Sequence, residues 1–208
     1  MPEALKTDTE LKRSRLKSIA QLKFAQMLPQ PTRSRSLSML PTDDQLPGSW
    51  VLDKDQTYPI GVVKGRSRPE LVRARELKSI CARRFFKRDP DQEALSITVA
   101  RYASSEDARR MIDDFEIGMH DLYKKIVNLN FFRVVAPGPP ASLGHTQCFE
   151  CGWEAFGHPR TARGLAAQVE DVCFQVQYLK DNDLVPWPQL FEMAELVAEH
   201  VRTVVSGQ

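Results

Sequence analysis

No apolar stretch of about 18 residues, the length of a membrane-spanning helix, occurs in the 208-residue sequence. The opening residues hold no apolar leader core, and the expectation drawn from that is a cytoplasmic protein. Cysteine is scarce, at four residues. In a chain without a leader these read as reduced thiols or metal ligands rather than a disulfide framework. No serine sits in a nucleophile elbow and no glycine-rich phosphate loop is present, so the signatures of α/β-hydrolases and P-loop nucleotide enzymes are missing. Acidic residues are absent from residues 11–40, which hold seven Lys/Arg.

That local absence is part of a wider asymmetry. Through Arg88 there are 19 Lys/Arg against 9 Asp/Glu, an excess of +10; from Asp89 onward there are 10 against 18, an excess of −8. The second basic block, 64–88, holds ten Lys/Arg against Glu70 and Glu76. Arg66, Arg68, Arg73, Arg75, Arg83, Arg84, Lys87 and Arg88 together form a candidate binding surface for an acidic protein. They could equally neutralise phosphates of a nucleic acid, with Phe85 and Phe86 as stacking platforms. In the structural alternative, the phenylalanines are core and the arginines face the chain's own acidic half. No RRM, KH or helix-turn-helix signature accompanies the block.

Residues 3–27 have helical composition, but Arg13 and Lys23 break the stripe of Leu16, Ala20, Phe24 and Met27. Residues 28–49 have the Pro, Ser and Arg content of a linker. The expectation is a basic, flexible arm over residues 1–45 and one folded domain over 46–208. Within the domain, Tyr58 to Val63 predicts a short strand, residues 69–75 a helix, and residues 77–87 a strand. Leu95, Ile97 and Val99 alternate with Ser96, Thr98 and Ala100, a strand pattern. Ser104 or Ser105 then caps a helix, with Asp107 three residues after Ser104, and Ala108, Met111, Ile112 and Phe115 form its apolar stripe. Leu122 to Leu129 reads as helix; Phe131 to Val135 and Gln147 to Phe156 read as strands.

The clearest pattern runs from Arg163 to Val205. Leu165, Ala167 and Val169 alternate, Glu170-Asp171 reverses the chain without the glycine such turns prefer, and Val172, Phe174, Val176 and Tyr178 alternate again. Pro186-Trp187-Pro188 opens a helix whose stripe is Leu190, Ala194, Val197, Val201 and Val204. Strand–turn–strand–helix therefore occurs twice, at 77–117 and 164–205. The predicted fold class is α+β: an antiparallel sheet with helices packed on one face.

Leu46-Pro47 with Trp50, the run Ala94 to Tyr102 leading into Ser105 to Arg110, and the closing hairpin with its Trp187 helix start resemble actinobacterial sensor-type domains. Those domains lie outside the membrane on serine/threonine kinases and in lipoproteins. The likeness covers roughly residues 46–205 and implies an α+β module that binds a ligand or partner without catalysis.

One cluster has metal-ligand chemistry: His145, Cys148, Cys151 and His158, with Cys148-Phe-Glu-Cys151-Gly152 in the form of a zinc knuckle. Two cysteines three apart on a regular strand point to opposite faces, so zinc requires a turn there. The structural alternative is a strand holding two small apolar thiols. No organic cofactor is implied. The function expected from sequence is a binding module for a protein partner, not an enzyme. A nucleic-acid-binding protein and a zinc domain are the alternatives.

Overall fold

A computed structural model describes residues 37–57, 77–86, 93–116, 129–155, 158–181 and 183–207. The expected arm helix at 3–27, strand at 58–63, helix at 69–75 and helical stretch at 122–128 lie outside these residues, as does most of the basic arm. Leu129, expected to end that helix, is the first residue of a strand.

Among the described residues, seven strands form one antiparallel sheet: β1 Val51–Thr57, β2 Leu77–Phe86, β3 Ala94–Tyr102, β4 Leu129–Val135, β5 Thr146–Ala155, β6 His158–Val169 and β7 Val172–Asp181. Their spatial order is β1-β2-β3-β7-β6-β5-β4. The closing hairpin thus supplies the two strands β7 and β6 between β3 and β5, and β1 and β4 lie at the ends. Helix α1, Ser105–Asp113, follows β3, and α2, Trp187–Ser206, follows β7. The antiparallel α+β class is the one the alternations predict.

The helices divide between the two faces of the sheet, and this corrects the expectation that they share one. Leu95, Ile97 and Val99 of β3, Leu165 and Ala167 of β6, and Phe174 and Val176 of β7 are buried with Leu190, Ala194, Val197 and Val201 of α2. Side chains of opposite parity, Ala100, Tyr102, Ala166 and Cys173, are buried with Ala108 and Ile112 of α1 and with Phe115 just beyond it. Successive strand residues point to opposite faces, so each helix covers its own. The reason lies in the central strands. β3, β6 and β7 carry apolar side chains on both faces, and each face needs its own cover.

Local chemistry explains the element boundaries. Ser104 caps α1, its hydroxyl accepting from the Asp107 N–H at 3.1 Å. Pro186 precedes α2 and Pro188 lies in its first turn, where missing N–H groups cost nothing. Gly207, at φ 74°, ends α2 in the left-handed conformation glycine tolerates. The β6–β7 turn uses Glu170 at φ 51° instead of glycine. It is clamped from two sides. Gln168 Nε2 donates to the Glu170 carbonyl (2.8 Å) and to the Ser105 carbonyl (2.7 Å). Arg101 Nε donates to the Asp171 carboxylate at 2.8 Å, and the Tyr102 N–H donates to the Asp171 carbonyl at 2.8 Å. Those bonds offset a left-handed cost of about 1–2 kcal/mol.

The folded unit also begins earlier than the expected boundary at residue 46. Met39 and Leu40 are buried in the α2 core together with Leu46 and Trp50, and His200 Nε2 lies 2.8 Å from the Ser38 carbonyl. The stretch read as linker therefore contributes core side chains from residue 39 on. Its proline and serine content described the backbone but not the two apolar residues that dock.

Candidate functional site

On the α2 face, registered rows of side chains cross β4, β5 and β6. In the row Val135–Cys148–Leu165 all three side chains pack in the apolar core or against it. Two residues along each strand, the next row is Arg133–Glu150–Arg163. The row after that is Phe131–Gly152–Thr161. The α2 face therefore passes from apolar core to a charged row and then to an exposed aromatic. α2 begins at the charged row, where Trp187 meets it.

Glu150 is the only buried charged residue among the described residues, at 4% exposure. A buried carboxylate needs paired charge and hydrogen bonds to offset its lost hydration. Both come from its cross-strand neighbours. Arg163 Nε donates to Oε1 at 2.8 Å, while Arg133 donates to Oε2 from Nε at 2.9 Å and from Nη2 at 2.5 Å. Burial on its own would raise the Glu150 pKa. The hydrogen bonds and charges of Arg133 and Arg163 outweigh it and hold the carboxyl below the usual glutamate value.

The two arginines differ in what else they do. Arg163 also donates from Nη1 to the Val185 carbonyl at 2.7 Å, and its guanidinium lies 5.0 Å from the Trp187 ring centroid. Trp187 stacks in turn on Phe191 at 5.6 Å. Arg163 therefore ties the sheet to the start of α2. Arg133, with 65% of its side chain exposed, lies 5.7 Å from the Phe131 ring centroid. Phe131 is itself 38% exposed, and with Leu52 on β1 it is one of two large apolar side chains left open among the described residues. Each stands on an end strand.

Gly152 is what allows Phe131 to lie where it does. A Cβ at Gly152 would come 2.4 Å from the Phe131 ring, so the ring lies across the β5 backbone. The row carries two guanidinium charges and one carboxylate, a surplus of +1. The result is a solvent-facing arginine held by a buried acid, beside a solvent-facing aromatic, both carried on a strand rather than a loop.

The zinc reading fails on the geometry that the spacing warned of. β5 continues unbroken through Cys148 and Cys151, which register with Leu165 and Ala162. Cys148 is buried on the α2 face and Cys151 on the α1 face, so the two thiols cannot share an ion. Burial pushes the Cys148 thiol up to about 11 and the Cys173 thiol up to about 12, which keeps both protonated. Cys151 Sγ accepts a bond from Gln177 Nε2 at 3.6 Å. His145 Nε2 pairs with Asp113 Oδ1 at 2.7 Å. His158 opens β6 in register with Ala155, and its side chain lies outside the described residues.

Of the basic block, Arg66, Arg68, Arg73, Arg75, Lys87 and Arg88 lie outside the described residues. Arg83 and Arg84 lie on β2, in register with Ile97 and Ser96 of β3. Sequence reasoning did not single out Arg133, Glu150, Arg163 or Phe131. The available signal was an acid in the middle of a strand pattern, between Cys148 and Gly152. Only strand register pairs it with two arginines 17 and 13 residues away.

No protein-family profile and no curated protein matches the sequence. Among solved structures, the fold is similar to the extracellular domain of PknH from Mycobacterium tuberculosis. The TM-score is 0.53 and the identity 12%, over 82% of this chain and 96% of that one. The likeness is one of fold, and it agrees with the α+β fold that the resemblance drawn from the sequence implied.

Proposed function

We propose that this chain is a non-catalytic interaction module that binds a protein partner through Phe131 and Arg133. The observation that carries the reading is the buried Glu150 holding an exposed arginine beside an exposed phenylalanine. Arginine and aromatic residues dominate the energetics of protein interfaces. A side chain already fixed by a buried partner loses less freedom on binding. The surplus positive charge suits an acidic surface on the partner. A fold like that of an extracellular domain is in keeping with a module that acts by binding.

The test is capture of partners from the native cell, with and without nuclease. Four forms are compared: wild type, Phe131→Ala, Arg133→Gln, and the fourfold change of Arg83, Arg84, Lys87 and Arg88 to Gln. The expected result is a nuclease-resistant partner lost with either β4 variant and kept by the fourfold variant. Capture that survives both β4 changes would sink this reading. Capture that ends with nuclease or with the fourfold change would point to the basic block and nucleic acid instead.

A further inference from the structure

We infer that the partner docks as an extended acidic segment added along the outer edge of β4, with a carboxylate placed beside Arg133. The inference rests on the interaction reading above and specifies its geometry.

Among the described residues, β4 is the last strand of the sheet. Its one register shift lies between Leu129 and Phe131, and pairing with β5 is unbroken from Phe131 to Val135. Five residues thus hold regular extended backbone at the sheet's end. An end strand presents a row of N–H and C=O groups to whatever lies alongside, and strand addition at such an edge is a recurring way of binding peptides. Main-chain bonds there supply affinity, while alternate side chains supply selectivity. Phe131 and Arg133 are two apart and so share one face of β4. An added strand would meet both on that face, with its own alternate side chains next to them.

Charge selects the occupant. The Arg133–Glu150–Arg163 row has a surplus of +1. Arg163 is occupied by Glu150, Val185 and Trp187. Arg133 bonds Glu150 through Nε and Nη2, so its Nη1 is the group available to a second carboxylate. A second copy of this chain pairing β4 to β4 would bring two such surpluses together, and like charges across a strand pair are destabilising. The opposite end strand, β1, pairs without a break only over the four residues from Lys54 to Thr57, and its Asp53-Lys54-Asp55 run is net acidic, so it suits an acidic segment less well.

Three fluorescent octapeptides test this on the full chain. The first alternates Val and Glu, and the second alternates Val and Lys. The third repeats the first but is N-methylated across its four central residues, so it keeps the carboxylates and loses the backbone donors. Strand docking predicts that the Glu peptide binds at least tenfold tighter than the other two. It also predicts that Arg133→Gln removes the margin over the Lys peptide while leaving the margin over the methylated one, and that bound Glu peptide slows amide exchange in 131–135. Equal binding of the methylated and parent peptides would overturn the inference, since charge alone would then suffice. So would absence of binding by the Glu peptide. If native partner capture still depends on Phe131 in either case, only strand docking falls. If that dependence is missing too, the interaction reading falls with it. Circular dichroism of Arg133→Gln confirms that any loss is not unfolding.

Discussion

Phe149 and Phe131 use one device on opposite faces of the same sheet. Phe149 lies over Gly164 of the neighbouring strand, where a Cβ would come 2.2 Å from its ring; Phe131 lies over Gly152 at 2.4 Å. Each pair is directly in register. Phe149 is fully buried, stacked at 5.4 Å on Phe132 and 5.2 Å from Phe115. Phe131 has Arg133 beside it and is open to solvent. The comparison teaches that the local motif, an aromatic covering a glycine, does not decide whether a residue stabilises the fold or serves a surface. What lies above the ring decides: α1 and Phe115 in one case, solvent in the other.

The largest effect expected is on that contrast itself. Phe149→Ala should cost about 3–5 kcal/mol, the range for emptying a buried aromatic site. Phe131→Ala should change stability by no more than about 0.5 kcal/mol, as for an exposed position, while abolishing partner capture. Chemical denaturation of the two variants side by side measures it, and equal losses would erase the distinction between core and surface.

Next comes Glu150→Gln. It leaves Arg163, only 20% exposed, without its counter-charge. Breaking a buried pair costs about 3–5 kcal/mol, and the lower end is expected because Arg163 keeps Val185 and Trp187. Arg133, 65% exposed, regains water and adds little. The pH response sharpens this. Because the Glu150 pKa is lowered in the folded state, its contribution is complete above the ordinary glutamate value of 4.5. It is lost as pH falls through the folded value. Denaturation midpoints measured from pH 7 downward should therefore fall more steeply for wild type than for Glu150→Gln; parallel acid limbs would contradict the pairing.

The glycines give a smaller effect. Gly164→Ala forces a buried ring to shift and should cost about 1–3 kcal/mol, the usual range for overpacking. Gly152→Ala meets a ring that can swing into solvent, so its stability loss should be smaller. It should still weaken partner capture by displacing Phe131. Smallest of all is the expected thiol reactivity at pH 8. Cys148, Cys151 and Cys173 are buried thiols, and with the Cys148 and Cys173 pKa values at about 11 and about 12 they should react with a thiol reagent only at the rate of unfolding. Fast labelling of Cys148 in the native protein would show that the α2 face opens locally.

Much of the fold was legible because its signals are local. The period-two runs at Leu95–Val99, Leu165–Val169 and Val172–Tyr178, the Ser104 cap and the Pro186-Trp187-Pro188 helix start all act within a few residues. The Cys148–Cys151 spacing carried its own answer, since a regular strand separates such thiols. Less legible was the role of Met39 and Leu40, two apolar residues inside a stretch whose prolines and serines read as linker. Still less legible was the candidate site. Arg133, Glu150 and Arg163 are unremarkable in sequence, and they become a site only when three strands align.

The sequence by itself determined the strands that became β2, β3 and β5 to β7, most of β4, the two helices that follow β3 and β7 with their starts, and that the sheet is antiparallel, because side-chain periodicity and backbone preference act over short range; β1 at Val51–Thr57 was not read from it. The tertiary structure alone decided that α1 and α2 take opposite faces, that a buried acid is shared by two arginines, and that one of two equivalent aromatic–glycine pairs stays open. Those outcomes depend on strand order and register, which are set by how the whole chain buries its apolar surface and not by any one stretch of it.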